Sequence, residues 1–383
     1  MVESAIVTES RQVLPNEAPR DQAFMAQALA LAHNGRGQVS PNPPVGCVLV
    51  REGEVVGLGY HEQFGGPHAE VNALKAAGEK AQGATAYVTL EPCTDALEGK
   101  KTPSCTQALI SAGIKRVIVA TRDPNPKLNG RGLIQLRSAG IEVSEGPCAD
   151  EGAWMIRYFA KWITSGRPYV ILKVARTRDN FVAATLADGH WFTSPESRRW
   201  VHQLRAGVDG VVVGRKTAER DNPRLTVREA SGPHPTRIVL DTHLKLDPEL
   251  RLFQDGVAPT MVFTSVGESG TTIWGEQVRV SPSAAGVNLN QVLDILGKKG
   301  ITSILVEGGP TLHREFLQAG LADEVILFTA PREAEQAVRC RSDLRNSLEI
   351  PAGWYPVLEE EVGADHLIVA HADTSFSKAL SQH

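Results

Sequence analysis

Helical periodicity begins at Asp21, which reads as an N-cap, and runs through Phe24, Ala28, Leu31 and Ala32 to Gly35 and Gly37. A rigid polar loop follows, Ser40-Pro41-Asn42-Pro43-Pro44-Val45-Gly46. Residues 47–50 and 55–59 pair naturally as a hairpin across Arg51-Glu52-Gly53-Glu54. A helix is expected after His68, with Val71, Leu74 and Ala77 on one face. Next come a strand at 84–90, a second helix start at Cys93, a helix at 106–112, a strand at 115–120, a helix at 133–139 and a short strand at 141–144. This alternation predicts one layered α/β domain over 21–148 behind a loose tail at 1–20. A helical bridge at 149–163 leads to Gly166-Arg167-Pro168, so 149–166 reads as a linker.

The second half, 167–372, has its own rhythm. Strands are expected at 169–175, 210–214, 237–241, 260–264, 303–307 and 324–330, with helices at 195–206, 290–299 and 311–319. A tail at 373–383 closes the chain. No G-x-G-x-x-G opens a helix, so a Rossmann unit has no direct support. Instead Glu307-Gly308-Gly309-Pro310-Thr311 joins a strand to a helix, a turn that lets backbone approach a phosphate. Gly214-Arg215-Lys216-Thr217 is a second strand-to-helix turn. Arg205 and Arg228 have the chemistry to bind a phosphate bidentately, as ordinary surface arginines also would.

Composition narrows the class. With 383 residues, 42% apolar and 22% charged, the chain is an ordinary globular protein of two or three domains. A net charge of −4 gives no support for a nucleic-acid surface. Apolar runs fall short of the ~18 residues that span a membrane, and no secretory signal stands at the N-terminus. Five cysteines do not make a disulfide framework in a chain this long, and the cytoplasm is the expected setting.

The chemistry concentrates between His68 and Cys105. His68-Ala69-Glu70, Glu91-Pro92-Cys93 and Cys105 follow the H-x-E…P-C…C order of the zinc deaminases. One imidazole and two thiolates leave a tetrahedral zinc its fourth position for water. Glu70 is not needed as a ligand, so it is free to move the water proton to a leaving amine. Asn42 is equally readable as a substrate contact and as an Asx turn, and His61 reads on spacing alone as an exposed loop histidine.

Taken together, these segments resemble the bifunctional riboflavin-biosynthesis deaminase/reductase family, from about residue 21 to 332. Further matches are Pro41-Asn42-Pro43, Gly59-Tyr60-His61, Asp123-Pro124-Asn125-Pro126, Thr193-Ser194-Pro195, Asp221-Asn222-Pro223 and Val306-Glu307-Gly308-Gly309-Pro310-Thr311-Leu312. The resemblance implies a cytidine-deaminase-like zinc domain followed by a dihydrofolate-reductase-like domain. It implies zinc hydrolysis of an amino group on a diaminopyrimidine ribosyl phosphate, then reduction of the ribosyl to the ribityl chain by NADPH. His68, Cys93 and Cys105 would hold the zinc, and Glu70 would shuttle the proton. Asn42, His61 and Lys101 would face the pyrimidine. Arg205, Leu225, Arg228 and Glu307 match substrate positions. Ala175, Trp191, Thr217, Asp221, Thr242 and the turn Gly309-Pro310-Thr311 match NADPH positions. The partners implied are small molecules, with neither nucleic acid nor membrane; homo-oligomers are common among such enzymes.

Two departures stand out. The segment between Cys93 and Cys105 is three residues longer than usual, with Asp95 where the family has histidine. Arg178 and Asn180 replace the usual leucine and glycine, and Gly189 a serine. These departures are the sole support for a second reading, a paralogue acting on a related aminopyrimidine or a deaminase with a weakened reductase.

Overall fold

The computed structural model describes residues 18–94, 104–182, 192–284, 286–334 and 349–372. Asp95, Lys101, Gly189 and Trp191, and nearly all of the expected tails, lie outside the described residues.

The first half runs α1 (Ala18–His33), β1 (Gly46–Arg51), β2 (Glu54–Tyr60), α2 (Ala69–Ala77), β3 (Thr85–Leu90), α3 (Cys105–Ser111), β4 (Arg116–Thr121), α4 (Arg131–Ser138) and β5 (Glu142–Glu145). The strands form one sheet in the order β2-β1-β3-β4-β5. β1 is antiparallel to β2 and β3, while β3, β4 and β5 are parallel. Helices cover both faces. Val48 and Val50 point to Met25 and Ala28 of α1. Cys47 and Leu49 point the other way, to Ala69 and Ala73 of α2, Leu109 of α3 and Leu133 of α4. That two-sided burial is why β1 reads as a nearly continuous apolar run.

Two details differ from the periodicity. Asp21 is not an N-cap, because α1 starts earlier; its buried carboxylate accepts a 2.7 Å hydrogen bond from Tyr87 and pairs with Arg116 at 3.0 Å. In α2 the buried face is Ala69, Ala73 and Ala77, and Val71 is exposed. Close approach decides this. A Cβ on Gly59 would lie 2.3 Å from the Ala69 oxygen and the Ala73 nitrogen, so the helix rests backbone-to-backbone on β2 and only alanine fits the seam.

The bridge is two helices, α5 (Ala149–Met155) and α6 (Arg157–Ser165), rather than one. At their junction Arg157 is buried, 3.1 Å from Glu324, with its guanidinium 3.8 Å from the Trp154 ring centre.

The second half continues β6 (Tyr169–Thr177), α7 (Pro195–Ala206), β7 (Gly210–Gly214), α8 (Arg215–Asp221), β8 (Thr236–Leu240), α9 (Arg251–Gln254), β9 (Thr260–Thr264), β10 (Gly270–Thr272) and β11 (Gly275–Arg279). After the two-residue strands β12 (Pro282–Ser283) and β13 (Gly286–Val287) come α10 (Leu289–Lys298), β14 (Ser303–Val306), α11 (Pro310–Gln318), β15 (Glu324–Ala330), β16 (Tyr355–Val362) and β17 (Asp365–His371). The large sheet has the order β10-β11-β9-β8-β7-β14-β6-β15-β17-β16. From β11 to β15 its strands are parallel, so their carboxyl ends open on one side. The chain leaves β7 toward β8 and the adjacent β14 toward β15, in opposite directions along the sheet, and such a switch point leaves a crevice beyond the strand ends. The hairpin β16–β17 was not among the expected elements. It extends the sheet past β15, and Asp365 accepts from the Ser194 amide at 2.7 Å, pinning the start of α7.

Candidate active sites

In the first half, three donors converge. His68 is the residue before α2, Cys93 follows β3, and Cys105 is the first residue of α3. Cys93 lies in irregular chain after β3, and the residue after it is not helical. His68 Nδ1 lies 3.2 Å from Cys105 Sγ and 3.4 Å from Cys93 Sγ, and the two sulfurs are 3.2 Å apart. Donors bound at zinc–ligand distances around a tetrahedron are separated by roughly 3.3–3.8 Å, so the set is close to what a zinc ion needs. The donor chemistry fits zinc as well, a borderline-soft ion that takes imidazole and thiolate together. The Cys105 amide donates to Cys93 Sγ at 3.4 Å, a contact that favours the thiolate.

Glu70 lies in the first turn of α2 and is 3% exposed. Burial and the Cys93 sulfur raise its carboxyl, which favours uptake of a proton. His61 is buried at 3% exposure, not an exposed loop residue. Its Nδ1 lies 3.0 Å from the Pro67 carbonyl, which can only accept, so Nδ1 carries the proton. Nε2 then accepts from the Asn42 amide at 3.1 Å. The His61 and His68 rings meet edge-on at 5.2 Å, which places Asn42 and His61 beside the donor cluster.

In the second half, a cavity of about 550 Å³ opens at the carboxyl ends of the parallel strands. Among the described residues seven basic side chains line it (Lys173, Arg198, Arg205, Arg220, Arg224, Arg228 and Arg251) against three carboxylates (Asp221, Glu229 and Glu307). In a chain of net charge −4, that local excess marks a site for anionic ligands. Ala175, Thr217, Asp221, Leu225 and the Arg205, Arg228 and Glu307 side chains all belong to this lining. Leu225 is buried and takes φ +54°, and Asn222 takes φ +39°, so the backbone is held in left-handed geometry at the cavity wall. Thr242 lies past the end of β8, Gly309 caps α11, and Pro310 and Thr311 open it; these four fall outside the lining, which includes Gly308.

Arg205 does not present its fork to a phosphate. Its Nε and Nη2 bind Glu307 at 2.6 and 2.9 Å, and Nη1 bonds the Thr226 carbonyl at 3.2 Å. Burial alone would raise Glu307, but Arg205, with Lys173 and His202, outweighs it and holds the carboxyl at about 2. Among the described residues the Arg228 side chain is tied only through Nη1, to Thr226. Sequence reasoning missed Lys173, whose Nζ lies 4.0 Å from Glu307 and whose amine is lowered by burial. A lone lysine inside the apolar run Val170–Val174 was the available signal. It also missed His202 and His313, both on the lining and both pushed down to about 4, chiefly by burial. Arg178 sits elsewhere, two-thirds exposed and paired with Glu333 at 3.1 Å. Asn180 takes φ +67°, the conformation glycine would offer.

Residues 18–121 match the cytidine and deoxycytidylate deaminase zinc-binding region, and residues 168–333 match the RibD C-terminal domain. The riboflavin biosynthesis protein RibD of Aquifex aeolicus is 45% identical over 314 residues, covering 82% of this chain and 87% of that protein. The chain belongs to the RibD family. RibD of Escherichia coli is 43% identical over 329 residues, covering 82% of this chain and 88% of its own length. The crystal structure of a diaminohydroxyphosphoribosylaminopyrimidine deaminase/5-amino-6-(5-phosphoribosylamino)uracil reductase from Thermotoga maritima is 35% identical, with a TM-score of 0.80. That comparison covers 93% of this chain and 99% of the other. Acinetobacter baumannii RibD matches over the same shares, with a TM-score of 0.79. As a RibD protein the chain is a zinc- and NADPH-dependent bifunctional deaminase and reductase of riboflavin biosynthesis. The second reading, a paralogue in another pathway, is not favoured. Among the described residues no helix is long and apolar enough to cross a membrane.

Proposed function

We propose that the two sites act in succession on one ribosyl phosphate: the first exchanges an amino group of a diaminopyrimidine for oxygen, and the second reduces the ribosyl group to ribityl. The observation that carries this reading is the three-donor cluster at 3.2–3.4 Å with a buried carboxylate beside it, in one chain with the basic cavity.

His68, Cys93 and Cys105 hold the zinc. When bound, zinc supplies a water whose pKa falls to about 7. Glu70 takes a proton from the attacking water and returns it to the departing amine, and its burial keeps the carboxyl able to do both. Asn42 and His61 orient the pyrimidine; the hydrogen bond between them fixes the His61 tautomer, so the base meets a defined edge. Lys101 joins them in this reading by family resemblance alone.

On the cavity wall Ala175, Thr217 and Asp221 would hold NADPH, which supplies hydride when bound; Thr242, Trp191 and the Gly309-Pro310-Thr311 turn join them in this reading by family resemblance. Arg228 holds the substrate phosphate, since part of its fork is uncommitted. Leu225 packs on the substrate. Arg205 keeps Glu307 ionised, and Glu307 accepts hydrogen bonds from the ribosyl hydroxyls. Among the described lining residues Lys173 is the only lysine, and its lowered amine suits proton delivery to the ribosyl ring oxygen as that oxygen leaves the sugar carbon, the carbon–nitrogen bond staying intact.

Two thiolate ligands require a reducing compartment, which supports a cytoplasmic setting. The partners are small molecules, with self-association as a further expectation from enzymes of this build.

Glu70→Gln tests the reading. The variant retains zinc, loses deamination by roughly 10²–10⁴-fold and still reduces the deaminated intermediate. Deamination at the wild-type rate would refute it.

A further inference from the structure

Next to the zinc donors lies a carboxylate that the chemistry above does not use. Glu91, two residues before Cys93, is 4% exposed. Its Oε2 accepts from the Asp123 amide at 3.1 Å and the Gly130 amide at 2.9 Å, and its Oε1 from the Gly132 amide at 2.8 Å. Its own amide donates to the Thr121 carbonyl at 2.9 Å. Gly132 presses on the same turn: a Cβ there would lie 2.3 Å from the Pro92 oxygen. Downstream, the Thr106 amide donates to the Cys93 carbonyl at 3.2 Å.

We infer that Glu91 is a positioning residue of the deaminase site: by clasping three amides of the 123–132 segment it fixes the Pro92–Cys93 turn, and with it one zinc-binding sulfur and one wall of the site. A carboxylate suits this place because both of its oxygens accept. The isosteric amide accepts on one side only and turns N–H toward N–H on the other, leaving a buried donor unpaired. Groups that orient a ligand from behind typically contribute 10–100-fold in metal affinity or activity. The inference rests on the zinc reading proposed above.

The experiment compares wild type, Glu91→Gln and Gly132→Ala as full-length proteins. Zinc affinity is measured by competition with a chromophoric chelator, and site geometry by the visible spectrum of the cobalt-substituted protein. Deaminase and reductase kinetics are measured on the same samples, so the reductase reports whether the chain has folded. Gly132→Ala keeps the charge and wedges the turn, so it should share the phenotype. The expected result is zinc binding weakened by roughly 10-fold or more in both variants, an altered cobalt spectrum and slowed deamination, with reductase kinetics unchanged. Zinc affinity of Glu91→Gln within twofold of wild type would overturn the inference alone. So would parallel loss of both activities, which would make Glu91 a support of the whole fold. A wild-type protein that binds no zinc would overturn the zinc reading and this inference together.

Discussion

Arg205 and Glu307 offer a perturbation whose size follows from geometry. Their side chains are 12% and 10% exposed and are joined by two hydrogen bonds of 2.6 and 2.9 Å. Replacing Arg205 with methionine keeps most of its length and removes its charge. In the wild type Glu307 sits at about 2, against ~4.3 in an unfolded chain. That difference amounts to about 3 kcal/mol, of the same order as the ~3–5 kcal/mol lost when one partner of a buried pair is removed. What remains near Glu307 in the variant is Lys173 at 4.0 Å, together with His202. Domains of this size shift by roughly 2–4 °C per kcal/mol, so the transition of the second domain should fall by roughly 6–12 °C at pH 7. The sign with pH is fixed. A lowered carboxyl stabilises the wild type fully above its unfolded pKa, and that contribution fades as pH falls from about 4.5 toward 2. In the variant, burial without Arg205 lets Glu307 take up a proton at higher pH, which removes the penalty. The gap between the two proteins should therefore be widest near neutrality and narrow as the solution is acidified. Scanning calorimetry from pH 7 to pH 4, with the first domain's transition as an internal standard, reads this directly. An unchanged transition at pH 7, or a gap that stays constant with pH, would refute the reasoning.

Other outcomes follow from the same geometry. Lys173→Met should slow reduction by roughly 10²-fold or more while leaving deamination intact, measured as NADPH oxidation on the deaminated intermediate. Arg228→Ala should raise the KM for that phosphorylated intermediate by roughly 10-fold or more with little change in kcat, since a charged hydrogen bond contributes about 1.5–3 kcal/mol. Gly59→Ala places a Cβ 2.3 Å from the backbone of α2; displacing the helix that carries Glu70 should weaken zinc binding and destabilise the first domain by about 1–3 kcal/mol, with reduction unaffected.

Much of this was legible because period and motif carry it. The hairpin β1–β2, the helix after His68 and the strand feeding Cys93 all follow from hydrophobic spacing. The zinc donors follow from residue order, since only metal chemistry asks for His68, Cys93 and Cys105 with Glu70 between them. What was not legible depends on contacts across the fold. Val71 was placed on the buried face of its helix because spacing does not report that glycines on β2 draw the alanine edge inward. His61 read as exposed because its partners, Asn42 and Pro67, flank it only after folding. Arg205 read as a phosphate ligand because Glu307 lies 102 residues away. The hairpin β16–β17 was passed over because Glu359, Glu360 and Glu361 make β16 look like solvated loop, although it pairs along the sheet edge.

The most direct test of the account is a two-step product assay. Zinc-loaded protein is given the diaminopyrimidine ribosyl phosphate, and the products are weighed by mass spectrometry before and after NADPH is added. The account predicts exchange of one amino group for oxygen in the first step and gain of two hydrogens only in the second. An unaltered substrate with zinc bound, or deamination that no amount of NADPH carries further, would contradict it.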